Sequence, residues 1–150
     1  LVVDAGGIPI HVDAASARRA DGVTIDYVEG ESGAGFAIDN PNAPARPKPM
    51  SVKELKRLLD DGAALHVFDV RTEGERETAK IAGSILLDEA GRKQLEALPK
   101  DATIVFQCHH GMRSQAAAEH YASQGYRKTF NLTGGIAAWS REIDPSVPSY

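Results

Sequence analysis

The chain has 150 residues, enough for one domain with a sizeable core or for a domain with an appendage. It is 42% hydrophobic and 25% charged with a net charge of -4, which gives no electrostatic reason to bind nucleic acid or an anionic membrane. No apolar run approaches the ~20 residues of a membrane helix, and no signal peptide is recognisable. The single cysteine excludes an internal disulfide and favours a reducing, cytoplasmic location.

The region before residue 43 is rich in glycine and in residues that favour β-strands. Residues 7–13 and 23–29 alternate apolar with other side chains, which predicts two strands, and Asp21-Gly22 is a turn signal between them. The glycine-rich residues 30–36 predict a loop, and no strand-then-helix context marks them as dinucleotide-binding. We expect residues 1–42 to form a small β-rich segment. The first residue is Leu1 rather than Met, which is typical of a processed chain or of an excised piece of a longer protein; we expect the latter, because the segment reads as starting partway through a domain.

A proline-rich stretch at residues 40–50 separates that region from the rest of the chain. Four of the eight prolines fall in it, and proline fixes φ and removes a backbone hydrogen-bond donor. We therefore expect residues 43–50 to be an extended linker rather than a strand or a helix.

From residue 51 onward the pattern alternates between helices and strands. Ser51 and Glu54 have the spacing of a capping box at the start of an amphipathic helix that ends at Gly62. Strands are predicted at residues 64–70, 83–87, 102–108 and 128–132, with a polar turn at 71–77. Further helices are predicted at residues 89–99, 114–125 and 134–143. This order predicts an α/β fold over residues 51–150, with a mostly parallel sheet covered on both faces.

Cys108 ends the third of these strands, and Ser114 is the predicted N-cap of the next helix. In an open parallel sheet, ligands bind beyond the carboxyl ends of the strands. Unpaired N–H groups in a tight loop at a helix N-terminus favour negative charge, so a thiol there is expected to ionise readily. Gly111 lets the loop turn without a Cβ, and Arg113 adds a permanent cation at its rim.

Other interpretations of these residues stay open at this point. A free cysteine at the end of an apolar strand is often a small buried hydrophobe. His109 and His110 carry positive charge when protonated, but with Cys108 they make a poor metal site, because adjacent side chains rarely point at one ion. No nucleophile elbow marks a serine triad. We predict neither a metal nor a cofactor.

Four motifs in order give the chain a resemblance to the rhodanese (sulfurtransferase) family over about residues 51–143. They are FDVRTEGE at 68–75, IAGSILL at 81–87, CHHGMRS at 108–114 and NLTGGIAAW at 131–139. The resemblance implies a five-stranded parallel sheet with helices on both faces, and Cys108 as a nucleophile that carries a persulfide. It implies an anion- and persulfide-binding loop made of His109, His110, Gly111, Met112, Arg113 and Ser114. It also implies structural, supporting roles for Asp69, Arg71 and Glu75.

The details of the resemblance bear on the reaction. Residues 79–81 are Ala-Lys-Ile where the family usually has Gly-His-Ile, so a role carried by that histidine is absent. Trp139 matches the family's helix tryptophan, which we expect in the core. Four residues separate Cys108 from Arg113, whereas the related phosphatases and arsenate reductases carry one more. The shorter loop suits a single outer sulfur, so phosphatase and arsenate reductase chemistry rank low.

The resemblance implies an enzyme that moves a sulfane sulfur from a small donor, such as thiosulfate or a low-molecular-weight persulfide, to a thiol or cyanide. The alternative is a non-catalytic docking module in iron–sulfur or thiol-redox metabolism, since folds of this family also serve that purpose. The intact cysteine, glycine and arginine favour the enzyme.

Residues 1–44 are similar to the C-terminal half of the A-type (HesB-like) iron–sulfur carriers. That family places cysteines just after its Asn-Pro-Asn element, where this chain has Pro-Ala-Arg-Pro at 44–47. Without thiolates, cluster binding by this segment is not expected, and we predict a degenerate docking or spacer element. Because a segment similar to iron–sulfur carriers stands beside a rhodanese-like segment in one chain, we predict a glutaredoxin or an iron–sulfur assembly protein as a partner.

Overall fold

The first unit of the chain, residues 1–43, consists of two pairs of antiparallel strands in the computed structural model, which describes residues 2–5, 7–30 and 33–150. Its elements are β1 (Val2–Ala5), β2 (Ile8–His11), α1 (Ala14–Ala17), β3 (Thr24–Gly30) and β4 (Gly33–Asp39). The strands predicted at 7–13 and 23–29 are confirmed as β2 and β3.

The glycine-rich loop predicted at residues 30–36 is wrong for its second half. Residues 33–36 lie in β4, which pairs with β3, while residues 31 and 32 lie outside the described residues. Tyr27 stands opposite Phe36, and their ring centroids are 5.4 Å apart in an edge-on arrangement. Such a cross-strand aromatic pair stabilises antiparallel strands, and it offsets part of the weak strand preference of the nearby glycines.

The second unit, residues 44–150, is built on a five-stranded sheet in which every neighbouring pair is parallel, as predicted. The strands, in the sheet order β5-β9-β8-β6-β7, are β5 (Lys48–Met50), β9 (Lys128–Leu132), β8 (Thr103–Gln107), β6 (His66–Asp69) and β7 (Ile85–Leu86). The helices are α2 (Val52–Asp60), α3 (Glu73–Thr78), α4 (Glu89–Glu96), α5 (Met112–Ser123) and α6 (Gly135–Glu142). No helix in the described part of the chain is long and apolar enough to cross a membrane.

The end of the predicted proline-rich linker is a strand rather than a linker. Residues 48–50 form β5 at one edge of the parallel sheet, with Pro49 opposite Asn131 of β9. An edge strand is paired on one side only, so it tolerates a proline that has no N–H to donate. Met50 anchors the strand, because its side chain is buried and its carbonyl accepts a hydrogen bond from the Thr133 N–H at 2.9 Å.

Helix α3 replaces the polar turn that was predicted at residues 71–77. Thr72 is its N-cap, and a full capping box is present: Thr72 Oγ1 accepts from the Glu75 N–H, and the Glu75 carboxylate accepts from the Thr72 N–H. The prediction failed because the helix is short and carries few apolar residues. At Ser51, by contrast, only the first half of the predicted capping box forms, in which the hydroxyl accepts from the Glu54 N–H.

Alternation along the strands directs side chains into two cores, one on each face of the sheet. Val67 and Val105 join residues of α2 and α6 in one core. Phe68 and Phe106 join residues of α4 and α5 in the other. Trp139 lies in the first core, which confirms its predicted packing role. Both faces of the sheet are thus covered. Because the five strands are parallel, their carboxyl ends lie at the same edge of the sheet.

Gln107, the last residue of the central strand β8, is fully buried, and neither polar atom of its amide has a hydrogen-bond partner in the described part of the chain. Because an unsatisfied buried amide costs free energy, Gln107→Met is expected to raise the free energy of unfolding by about 1 kcal/mol in urea denaturation. Gln94→Met, on the exposed side of α4, is the control and should change it by less than about 0.5 kcal/mol. A clear loss of stability in Gln107→Met would contradict this account.

Candidate active site

The loop that carries Cys108 lies between β8 and α5, at the carboxyl edge of the parallel sheet. Gly111 has a φ of +107° and serves as the N-cap of α5, so the prediction of Ser114 as the N-cap is wrong. The N-cap lies three residues earlier, at a glycine that adopts this left-handed conformation without steric cost. As a result Ser114 lies inside the first turn of α5, fully buried, with its hydroxyl directed at the loop.

The Cys108 sulfur is surrounded by hydrogen-bond donors. Sγ accepts from the Gly111 N–H at 3.1 Å and from Ser114 Oγ at 3.2 Å. Burial by itself raises the pKa of the thiol, but hydrogen bonds from the Ser114 hydroxyl and from the backbone N–H groups of Ser114, Gly111 and His110 together lower it by more. The net pKa of Cys108 lies below that of an ordinary cysteine. The loop therefore favours a thiolate at a position that is only 2% exposed.

The start of α6 explains why the loop amides face the sulfur. The Ile136 N–H donates to the Cys108 carbonyl at 2.8 Å, and the Ala137 N–H donates to the His109 carbonyl at 3.1 Å. In a trans peptide the carbonyl and the following N–H point in opposite directions, so the contact of the His109 carbonyl with α6 leaves the His110 N–H, one of the donors to Cys108, facing the sulfur. A Cβ on Gly135 would lie 2.2 Å from the Cys108 carbonyl oxygen, so this close approach requires glycine. Sequence reasoning used the Gly-Gly pair as a family motif and missed its contact with the loop.

Arg113, expected as a cation at the loop rim, is bound on both arms of its guanidinium by Glu75. The two hydrogen bonds to the carboxylate measure 2.7 and 2.9 Å, and they link the first turn of α5 to α3. Hydrogen bonding to Arg113 is the main reason that the pKa of Glu75 lies far below its ordinary value, so the pair stays charged near neutral pH. The Arg113 side chain is 47% exposed. The structure thus brings Glu75 to the loop, where it holds Arg113 in place.

Asp69 and Arg71, predicted to have supporting roles, form a buried ion pair behind the loop. Arg71 Nη2 and Nε donate to the Asp69 carboxylate at 2.6 and 2.9 Å, and both side chains are fully buried. Arg71 Nη2 also donates to the Ala79 carbonyl at 2.7 Å, and Arg76 Nη1 approaches Asp69 at 3.3 Å. These contacts tie the end of β6 to α3, the helix that carries Glu75.

The two histidines of the loop stack on one another and on Tyr150. The ring centroids of His109 and His110 are 4.0 Å apart, and those of His109 and Tyr150 are 4.4 Å apart. Burial and the neighbouring His110 lower the pKa of His109, which favours the uncharged form of its ring. Tyr150 lies 41 positions beyond His109, and no local sequence pattern indicated the contact.

An open cavity of about 370 Å³ adjoins the loop. Its lining includes His110, Gly111, Met112, Asn131 and Gly134. Met112, which is 85% exposed, places an apolar side chain at this edge. Among the described residues, no three His, Cys, Asp or Glu side chains are grouped so as to hold a metal ion. The cavity has room for a small molecule beside the loop.

Alkylation of Cys108 by iodoacetamide is expected to accelerate with rising pH around a midpoint below ~8.5, the pKa of an unperturbed cysteine. The midpoint is expected to be lower because the hydrogen bonds at Sγ stabilise the thiolate, which then persists to lower pH. Rate constants from intact mass across the neutral range give the midpoint, because Cys108 is the only cysteine. The same chain unfolded in urea is the control, and equal midpoints in the two states would contradict the prediction.

Comparison with known proteins assigns the family. Residues 51–142 match the Rhodanese-like domain, and this chain therefore belongs to the rhodanese-like domain family. A protein of Allochromatium vinosum named "Sulfurtransferase" is 32% identical over 96 residues, which are 63% of this chain and 90% of that protein. The crystal structure of a rhodanese-like domain protein from Staphylococcus aureus superposes on this chain with a TM-score of 0.56 and a sequence identity of 27%. The match covers 64% of this chain and 94% of that one.

A larger relative shares more of the chain. The protein of Mycobacterium tuberculosis named "Probable adenylyltransferase/sulfurtransferase MoeZ" is 30% identical over 128 residues, which are 83% of this chain. The match spans only 33% of the length of that protein. The likeness to MoeZ therefore concerns one part of a longer polypeptide.

Proposed function

We propose that the chain is a sulfurtransferase in which the Cys108 thiolate carries a sulfane sulfur as a persulfide. The observation that carries this proposal is the set of donors around Sγ, from Gly111 and Ser114, at a lone buried cysteine whose pKa is lowered. A nucleophilic thiolate needs hydrogen-bond donors to stabilise its charge, whereas a structural cysteine packed among aliphatic side chains stays a neutral thiol and needs none. The family assignment and relatives named sulfurtransferase support the same reaction class.

The proposed reaction has two half-reactions that restore the enzyme. The Cys108 thiolate attacks the outer sulfur of a donor such as thiosulfate; a sulfur–sulfur bond forms to Sγ, the donor's own sulfur–sulfur bond breaks, and sulfite leaves with the electron pair. The loop N–H groups then hold the negative outer sulfur of the persulfide. A thiolate or cyanide acceptor next attacks that outer sulfur, and the electron pair of the breaking bond returns to Sγ.

Arg113 is proposed to orient an anionic donor and to hold the loop. The bidentate pair with Glu75 supports the second role, since it fixes the first turn of α5 against α3. It also limits the first role, because the guanidinium positions that best match an oxyanion are already engaged by a carboxylate. The charge that the rim offers to a donor is accordingly that of an ion pair rather than that of a free cation.

The physiological acceptor is proposed to be a small thiol or a cysteine of a partner protein, such as a glutaredoxin or an iron–sulfur assembly protein, in the cytoplasm. The open cavity beside the loop supports access by a thiol that is not itself deeply buried. Residues 1–42 are proposed to act as a spacer or docking element without an iron–sulfur cluster, because they contain no cysteine.

The test is sulfur uptake measured by intact mass. After incubation with thiosulfate or glutathione persulfide and removal of excess donor, the parent chain is expected to gain the mass of one sulfur atom, and Cys108→Ser is expected to gain nothing. Addition of cyanide should remove the extra mass and release thiocyanate. Absence of any gain with all donors would favour a docking module, and turnover of an aryl phosphate or arsenate would favour the related phosphatase or arsenate reductase chemistry.

A further inference from the structure

The Ser114 hydroxyl lies between two groups that compete for its proton. Ser114 Oγ is 3.2 Å from Cys108 Sγ and 2.7 Å from Asn131 Oδ1. A hydroxyl carries a single hydrogen, so Ser114 donates to the sulfur or to the amide oxygen but not to both. The choice matters because a thiolate accepts hydrogen bonds only, and the Ser114 hydroxyl is the one side-chain donor to Sγ in the described part of the chain.

Each ionisation state of Cys108 favours one pattern of hydrogen bonds among Cys108 Sγ, the Ser114 hydroxyl and the Asn131 carboxamide. With a neutral thiol, the S–H is able to donate to Ser114 Oγ while the hydroxyl donates to Asn131 Oδ1. With a thiolate, the hydroxyl has to donate to Sγ, and Ser114 Oγ is left as an acceptor facing Asn131. The carboxamide satisfies that acceptor only when it presents Nδ2, which requires a half-turn of its terminal group.

The surroundings of Asn131 permit this half-turn. Asn131 lies near the end of β9, is partly exposed and lines the open cavity beside the loop, so whichever atom faces away from Ser114 reaches solvent. Gly111 adds no side chain on this side: a Cβ there would lie 3.7 Å from Asn131 Nδ2 and 3.4 Å from the Leu132 carbonyl oxygen.

We propose that Asn131 is a positioning residue that turns its carboxamide as Cys108 ionises and thereby directs the Ser114 hydroxyl onto the thiolate. The inference rests on the proposed function only in that the thiolate is the reactive form. Other charged and titratable groups near the loop are Arg113 on α5 with its partner Glu75 on α3, the loop histidines His109 and His110, Tyr150 stacked on His109, and Arg71, which donates to the Tyr150 hydroxyl. These groups are the same in every variant of the test below.

The test is the pKa of the Cys108 thiol, measured by ultraviolet absorbance of the thiolate with Cys108→Ser as the blank. Ser114→Ala is expected to raise the pKa by about one unit, because one hydrogen bond to the charged sulfur is lost. At a fixed pH below the thiol pKa, Asn131→Leu is expected to lower the thiolate fraction about threefold. The reason is that Nδ2 no longer donates to Ser114 Oγ while that hydroxyl donates to the thiolate. Asn131→Asp is expected to lower the fraction more, because a carboxylate only accepts and draws the Ser114 proton away from sulfur.

The double variants decide whether Asn131 acts through Ser114. In the Ser114→Ala background, Asn131→Leu is expected to leave the thiol pKa unchanged, and Asn131→Asp to retain only the through-space effect of its charge. A higher thiolate fraction in Asn131→Leu, which would mean that Asn131 only competes for the Ser114 proton, would overturn the proposal, as would an equal shift with and without Ser114 or no shift in either background. Asn131→Ser provides the same comparison should Asn131→Leu fail to fold, which thermal unfolding reveals.

These measurements are independent of sulfur transfer. A coupled pKa response without persulfide formation from any donor would leave the Asn131 inference standing while the proposed function fails. Persulfide formation with no response of the thiol pKa to Asn131 would do the reverse.

Discussion

Replacing Gly135 with alanine is expected to lower the free energy of unfolding by about 2–4 kcal/mol and to return the pKa of the Cys108 thiol toward its ordinary value. The reason is the contact between the start of α6 and the loop. A Cβ at this position would lie 2.2 Å from the Cys108 carbonyl oxygen and 2.5 Å from the His109 carbonyl oxygen, and Gly135 also has a φ of +56°. Either α6 or the loop has to move, and the amide hydrogen bonds between them lengthen or break.

Urea denaturation and the pH dependence of Cys108 alkylation check the two halves of this expectation. Gly62→Ala is the matched control, because Gly62 has a similar φ of +67° but nothing within 4 Å of an added Cβ. It should cost about 1 kcal/mol for backbone strain alone and leave the thiol pKa unchanged. If Gly135→Ala proves no more damaging than Gly62→Ala in both measurements, then α6 does not orient the loop.

Arg71→Met is expected to lower the free energy of unfolding by about 3–5 kcal/mol, because it leaves the Asp69 carboxylate buried without its main partner. Both side chains are fully buried, and two hydrogen bonds join them at 2.6 and 2.9 Å. Methionine fills a similar volume, so loss of packing contributes little. Arg76, 3.3 Å from Asp69, offsets part of the loss. Denaturant unfolding of the variant, monitored by circular dichroism, measures the effect.

Two further variants identify the cause of that destabilisation. Lys56→Met removes one partner of an exposed ion pair with Asp60 and should cost less than about 1 kcal/mol. Asp69→Asn in the Arg71→Met background should recover part of the lost stability, because no unpaired charge then stays buried. A loss in Arg71→Met as small as that in Lys56→Met would show that the buried pair is not needed to hold β6 against α3.

The environment of the sulfur depends on elements that are distant along the chain. The loop supplies the N–H groups, but α6 turns the carbonyls, α3 holds Arg113 through Glu75, and β9 supplies Asn131 beside Ser114. The loop is therefore held from three sides. We infer that substitutions far from Cys108 in sequence will change its thiol pKa as strongly as substitutions next to it.

The sequence alone was sufficient to predict the parallel sheet and to place Cys108 in a loop between a strand and a helix, for reasons that act over short distances. Apolar periodicity reports which faces are buried, and the order of strands and helices implies parallel connections. A cysteine between a buried strand and a helix lies where backbone N–H groups are unpaired. The errors were also local in origin: Pro49 concealed an edge strand, the polar residues of α3 concealed a helix, and Ser114 was a more familiar N-cap than Gly111.

Tertiary structure alone decided which side chains meet at the site. Arg113 and Glu75 are 38 positions apart, Ser114 and Asn131 are 17 apart, and nothing in the spacing of either pair indicates a hydrogen bond. Nor does the Gly-Gly pair by itself indicate that Gly135 lies against the Cys108 carbonyl. Local patterns depend on burial and backbone geometry over a few residues, whereas partner choice depends on how strands and helices pack across the whole sheet. The sequence thus determined where the proposed nucleophile Cys108 lies, between a buried strand and a helix, and packing set the contacts around its sulfur.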